Sequence, residues 1–436
     1  MNYTVSFSRK KIETISWSIV LLYMVSVTGI LSEEVLFLIS IGVILLMIGL
    51  SKRLIIPHVG GLAFYLIMIA IAIVLGLITY ASRNVGRDVF YILPTVLMVV
   101  IGYYCYMVSG DKKPIAKTMV LCGLLNNIYV FLMFLSDTSV LDDFSETRSV
   151  FNVGIYNITL IAIVLFVYII DTEKSVFGKK ADFFIMILFL AQIVMSFSRS
   201  VWVETVVGSA IVLVVKSFFE GRNIKFFLRV ITIVVIAFVA SMLLFMYAPE
   251  DIVQQYSEKI DRTEEEIDAG QSFMDVSQAM ANWRGYENKM AITQWEKEGF
   301  ITEMIGGGMG KGVHIRYIPS NWTAGTVENN EIPILHSAYH TILPKCGLLG
   351  VIALVWFMGS QIILGFRNLF KDSKRRNLAI IIIAISVCFM LQAYAVRGPI
   401  TKGINIAWGV VVGWINAAFR VGNENEDEDE GEVTDE

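Results

Sequence analysis

The chain has 436 residues, 56% of them apolar and only 17% charged, with a mean hydropathy of +0.65. That composition excludes an ordinary soluble domain and makes lipid the main solvent. The net charge of −4 is unevenly spread: the last sixteen residues hold nine carboxylates and no base, leaving +5 on the remainder, and nothing in this balance points to nucleic acid as a partner.

Arg9, Lys10 and Lys11 precede an apolar run at 14–31 that is too long for a signal core and lacks a small-x-small cleavage site, so it reads as an uncleaved first span. Further spans are expected at 34–51, 58–80, 88–109, 115–136, 153–170, 181–199, 201–219, 230–248, 337–363, 377–395 and 404–419, twelve in all. A bilayer core of about 30 Å needs roughly 20 helical residues per crossing, and a helix satisfies its own backbone groups in lipid. The expected fold is an all-α polytopic membrane protein of about twelve transmembrane helices. Nine fall in 1–248 and three in 336–420, with one large extracytoplasmic loop at 249–335 and a disordered acidic tail at 421–436.

Basic residues set the orientation. With the N-terminus inside, twenty-one fall on cytoplasmic segments, against six in the short outer loops and helix ends: Arg83, Arg87, Arg148, Arg199, Arg397 and Lys402. Both termini are therefore expected in the cytoplasm and the long loop outside. The acidic tail reads as a solubilising strip or a docking strip for a basic partner.

Within the loop, 255–269 carries an apolar face that suggests a helix at the membrane edge, and 282–300 carries Trp283, Tyr286, Met290 and Trp295 at helical spacing. Gly306-Gly-Gly-Met-Gly-Lys-Gly312 then interrupts any helix. Lys311 invites a phosphate-loop reading, but Ile305 stands where that motif needs glycine and Gly312 where it needs Ser or Thr. A tight turn that brings backbone close to a neighbour, or to an anionic ligand, fits better. The four cysteines, Cys105, Cys122, Cys346 and Cys388, lie in apolar runs without metal spacing and read as packing residues.

The outer arginines run against the inward bias, and arginine at a membrane is costly unless it snorkels or meets an anion. Arg199 has the sharpest context, in Ser196-Phe-Ser-Arg-Ser-Val-Trp202, a polar break between two apolar runs that can only be a tight hairpin. His336 and His340 stand one helical turn apart at the mouth of the tenth span. Their i, i+4 spacing suits a metal pair, but there is no HExxH pattern and no third ligand, so an imidazole general base is the better reading.

Three motifs together resemble the bacterial O-antigen polymerase and O-antigen ligase superfamily of integral membrane glycosyltransferases. They are Phe197-Ser-Arg-Ser-Val-Trp202, Arg284 ahead of Ile305-Gly-Gly-Gly-Met-Gly310, and His336-Ser-Ala-Tyr followed by Cys346-Gly-Leu-Leu-Gly350. The likeness covers about 192–350, and His340 stands where the family more often has an apolar residue. It implies a GT-C-like arrangement in the bacterial cytoplasmic membrane and an inverting, metal-independent transfer that needs no cofactor. The donor would be a polyprenyl-pyrophosphate-linked oligosaccharide, with a flippase and a chain-length regulator as partners. Arg199 and Arg284 would neutralise the leaving pyrophosphate, and His336 would take the acceptor's proton. Arg83, Arg87, Arg397, His340, Trp283, Tyr286, Gly308 and Gly310 would bind substrate, with Trp295 and Trp322 as further sugar-stacking faces. Polymerase is preferred over ligase. A lipid-linked oligosaccharide transporter would also suit twelve spans, but it should carry midplane charges and an internal repeat, and neither is visible. A non-catalytic assembly subunit is the third reading.

Overall fold

The computed structural model describes residues 9–52, 54–109, 114–171, 174–220, 276–317, 330–371, 373–400 and 406–433, with seven isolated positions between 221 and 275. The ninth expected span, the helix expected at 255–269, and Trp322 all lie outside the described residues.

The chain is a helical, multi-pass membrane protein. Its helices are α1 (Arg9–Val27), α2 (Glu33–Ser51), α3 (Leu62–Thr79), α4 (Ser82–Ile92), α5 (Pro94–Ser109), α6 (Pro114–Ser136), α7 (Phe144–Phe151), α8 (Ile155–Ile170), α9 (Lys179–Met195) and α10 (Arg199–Glu220). The loop contributes α11 (Val276–Ala281), α12 (Trp283–Trp295), α13 (Phe300–Ile305), β1 (Val313–His314) and β2 (Glu331–Ile332), before α14 (Ala338–Leu369), α15 (Ser373–Ala395) and α16 (Ile406–Val433). Among the described residues six helices are long and apolar enough to cross a membrane, or eight if two bent pairs each count as one span.

Two of these spans are bent pairs. In the fourth, α4 and α5 meet at 43°. Pro94 opens α5, and its ring nitrogen has no N–H to donate to a carbonyl of α4. α7 and α8 meet at 50° across a turn whose Gly154 has φ of +66°. The tenth span is also not continuous, because Gly347 sits inside α14 at φ 67°, ψ −171°. α16 continues through the acidic run to Val433, where disorder was expected. A helix already nucleated adds one hydrogen bond per residue, and glutamate is a fair helix former.

α16 lies along α5 at the centre of the bundle. Small residues make the approach possible: a methyl on Gly102 would sit 2.0 Å from the Val410 carbonyl oxygen, and one on Gly413 2.0 Å from that of Val99. Between helices in lipid, such backbone closeness supplies the packing that a hydrophobic effect cannot. All four cysteines are free and buried, as packing residues should be.

The loop has its own small core of Ala279, Tyr286, Ala291, Val313, Ile315, Ile332 and Leu335. β1 and β2 pair antiparallel, Val313 opposite Ile332 and His314 opposite Glu331. Gln294 on α12 zips this ladder to the helix, accepting from the His314 amide at 2.9 Å and donating to the His314 carbonyl at 2.6 Å.

The glycine run clamps this layer to the bundle. The break at Gly347 frees carbonyls of α14, and the amides of Gly307 and Gly308 donate to Pro344 and Lys345 at 2.9 and 3.0 Å. The Met309 amide donates to Ala72 on α3 at 2.8 Å, and that of Gly310 to Asp88 Oδ2 on α4 at 2.6 Å. Asp88 also holds Lys345 Nζ at 2.5 Å, an ion pair with both side chains fully buried. The expected close approach is thus to the protein's own backbone.

Candidate functional site

An open cavity of about 230 Å³ lies where the loop layer meets α7 and the α9–α10 turn. It is lined by Arg148, Phe197, Ser198, Arg199, Ser200, Met280, Ala281, Trp283, Arg284 and His336. Three guanidinium groups face this space, and no carboxylate is among the lining residues described.

Each functional side chain is placed by local chemistry. α9 ends at Met195, Ser196 donates its hydroxyl to the Ile193 carbonyl at 2.7 Å, and Phe197 turns the chain with φ of +45°. A left-handed bulky residue costs on the order of 1–3 kcal/mol and persists only where its surroundings demand it. Trp202 ties α10 back to α9 through its indole N–H and the Ile193 carbonyl at 3.2 Å. Arg199 and Ser200 thereby become the first residues of α10. The Ser200 hydroxyl lies 3.2 Å from that of Ser198 and 3.3 Å from that of Tyr156 on α8.

Trp283 and Arg284 are the first residues of α12, after its N-cap Asn282. His336 precedes α14, whose N-cap is Ser337, with Thr341 donating to the Ser337 carbonyl at 2.9 Å. The cavity therefore collects the starts of two helices, α10 and α12, where the helix dipole favours negative charge. With three arginines added, the chemistry suited to this space is that of a multiply charged anion.

His336 is fixed from two sides. Its carbonyl accepts the Arg397 amide at 2.6 Å, and its own amide donates to Glu287 Oε2 at 2.9 Å. The same oxygen lies 2.9 Å from His336 Nδ1, while Glu287 Oε1 accepts the Trp283 indole N–H at 2.6 Å. The Glu287 side chain has no solvent exposure, whereas that of His336 is 32% exposed. Burial pushes the Glu287 carboxyl upward, but the hydrogen bonds and charge of His336, with Arg397 adding to them, outweigh burial and hold it below its ordinary value. Arg397 stands behind His336 with φ of +70°, and among the described residues its buried Nε has no hydrogen-bond partner.

The structure thus brings together Arg199, Arg284, His336 and Trp283, and adds Arg148. The other expected site residues lie elsewhere. Arg83 is exposed on α4, and Arg87 pairs with Asp88 at 3.3 Å. Arg397 is in the supporting wall, and His340 points Nδ1 at the Ser337 hydroxyl, 2.9 Å away, with Tyr394 as its ring neighbour. Gly308 and Gly310 belong to the clamp: a methyl on Gly308 would meet the Gly76 backbone at 2.5 Å. Tyr286 is 1% exposed and accepts the amides of Arg316 and Tyr317, so its ring supports the loop core and has no face for a sugar. Trp295 donates its indole N–H to the Glu303 carbonyl. Lys311 pairs with Glu298 at 2.6 Å.

Glu287 has no part in the expectations from sequence. Its signal was present: it shares the α12 stripe of Trp283 and Met290, where an acid contradicts the apolar pattern unless it has partners. Comparison of the chain with protein-family models and with curated proteins gives no match.

Proposed function

We propose that the protein is a membrane glycosyltransferase that moves a glycan from a polyprenyl-pyrophosphate donor to a sugar hydroxyl, acting as a polysaccharide polymerase. The observation that carries this is the meeting of Arg199, Arg284 and His336, three segments far apart in sequence, in one arginine-rich cavity.

The acceptor hydroxyl oxygen attacks the anomeric carbon from the face opposite the leaving group. The bond from that carbon to the pyrophosphate oxygen breaks, its electron pair stays with the phosphate, and configuration inverts. The hydroxyl proton passes to His336, a step worth about 10²- to 10⁴-fold for a positioned base. Charge growing on the pyrophosphate is met by Arg199, Arg284 and Arg148, whose planar forks match phosphate oxygens. Preorganised groups of this kind supply the largest part of many rate enhancements. On this reading the chain resides in a bacterial cytoplasmic membrane with both termini inside, and the cavity faces outward, where flipped donor is presented.

Product analysis tests the proposal. Purified protein receives a polyprenyl-pyrophosphate repeat unit and, separately, a glycolipid acceptor. Long chains on the polyprenyl carrier are expected. Transfer to the glycolipid alone would make the protein a ligase, and absence of any transfer would refute the glycosyltransferase reading.

A further inference from the structure

We propose that Glu287 is a positioning residue for His336: it holds the imidazole with Nδ1 protonated, leaving Nε2 to the cavity as the base. The inference rests on the glycosyltransferase reading for its catalytic meaning, but its structural content stands apart from it.

The argument begins with donors and acceptors. Glu287 accepts two hydrogen bonds of fixed direction, from the Trp283 indole on Oε1 and from the His336 amide on Oε2, and His336 Nδ1 lies 2.9 Å from that same Oε2. An ionised carboxylate has no proton to give, so the ring nitrogen facing it must carry one. A carboxylate without solvent exposure can remain ionised only if such donors and nearby positive charge compensate its lost hydration. Arg397 supplies that charge, from a turn whose amide is bonded to the His336 carbonyl. The Glu287 charge also acts on His340, one turn along α14, and the Arg284 charge acts on Arg397. The backbone and ring bonds to one oxygen leave the imidazole little freedom to rotate.

The consequence concerns proton flow. A neutral ring with Nδ1–H has its free lone pair on Nε2, at the cavity that His336 lines. When Nε2 takes the acceptor proton, the resulting imidazolium faces a fixed negative charge at 2.9 Å. The proton then leaves to water through the open side of the cavity, and the neutral tautomer is restored. Glu287 itself neither touches substrate nor takes the proton. It also explains why His336 and not His340 is the base, since His340 directs its Nδ1 to a hydroxyl that can either donate or accept.

The test uses full-length protein in lipid nanodiscs with ¹⁵N-labelled histidine. The chain has four histidines, so the His336 ring signals are identified by their loss in His336→Gln. Wild-type protein is expected to show His336 with Nδ1 protonated and Nε2 bare. In Glu287→Leu no acceptor remains beside Nδ1, so the ring loses its fixed tautomer and the Nε2–H form should appear. Turnover should fall about 10²- to 10⁴-fold with KM within about threefold. Glu287→Asp keeps the carboxylate and should keep the tautomer and recover most of the turnover lost in Glu287→Leu. A wild-type ring in the Nε2–H form overturns the inference without any variant, and so does a Glu287→Leu protein that keeps either the original tautomer or wild-type turnover. If wild-type protein shows the pinned tautomer but transfers no glycan, the positioning stands and the glycosyltransferase reading fails.

Discussion

Replacing Arg199 by alanine removes one of the three guanidinium groups that line the cavity, and its effect follows from charge and distance. A unit charge about 4 Å from a phosphate oxygen at an effective dielectric of about 20 contributes about 4 kcal/mol. Part of this is already present with bound donor, so the kinetic loss is smaller than the full Coulomb term. Loss of one preorganised group from a site of this kind costs about 2.7–4 kcal/mol, or 10²- to 10³-fold in kcat. Arg199→Lys keeps the charge but loses the bidentate fork, so it should fall between the two. The assay is turnover of a polyprenyl-pyrophosphate repeat unit in proteoliposomes, with thermal unfolding in parallel. Arg199 is the first residue of α10, where alanine is a good helix former, so the unfolding midpoint should hold. An Arg199→Ala protein turning over within threefold of wild type would refute the assigned role.

Three further outcomes probe the supports of the site. Glu287 is held below its ordinary value of 4.5, so it contributes stability that is fully present above that pH and lost as pH falls through the depressed value. Hydrogen exchange of α12 should accelerate on acidification, and Glu287→Gln should flatten that dependence. Asp88→Asn or Lys345→Met alone leaves one buried charge unpaired and should cost about 3–5 kcal/mol, whereas the double variant should recover part of it; chemical unfolding measures both. Gly76→Ala would place a methyl 2.1 Å from the Met309 carbonyl oxygen, so detergent-solubilised protein should unfold more readily by about 1–3 kcal/mol.

What was legible in the sequence was local. Ser196 to Trp202 could be read as a hairpin because hydroxyls and an arginine interrupt two apolar runs, and the structure forms that turn. His336 stood out because an imidazole is rare beside such runs, and Arg284 because the resemblance marks an arginine in the long loop. The cavity that joins them with Arg148 could not be read, because it depends on how the loop layer docks on α7 and α10. Periodicity revealed the α12 stripe but not what it faces: Tyr286 turns inward to the loop core, while Trp283 reaches the cavity. The glycine run showed that backbone would come close to something, yet its partners on α3, α4 and α14 lie up to about 240 residues away in sequence. Glu287 breaks the apolar stripe of α12, but the partner that explains it, His336, lies 49 residues away in sequence.

The account rests most directly on glycosyl transfer at His336. With purified protein in proteoliposomes and a polyprenyl-pyrophosphate repeat unit as sole substrate, free polyprenyl pyrophosphate should be released once per glycosidic bond, with inversion at the new linkage. In His336→Ala that release should fall at least 10²-fold while membrane insertion and donor binding persist. Equal release by wild type and His336→Ala, or movement of donor across the bilayer without any bond formed, would contradict it.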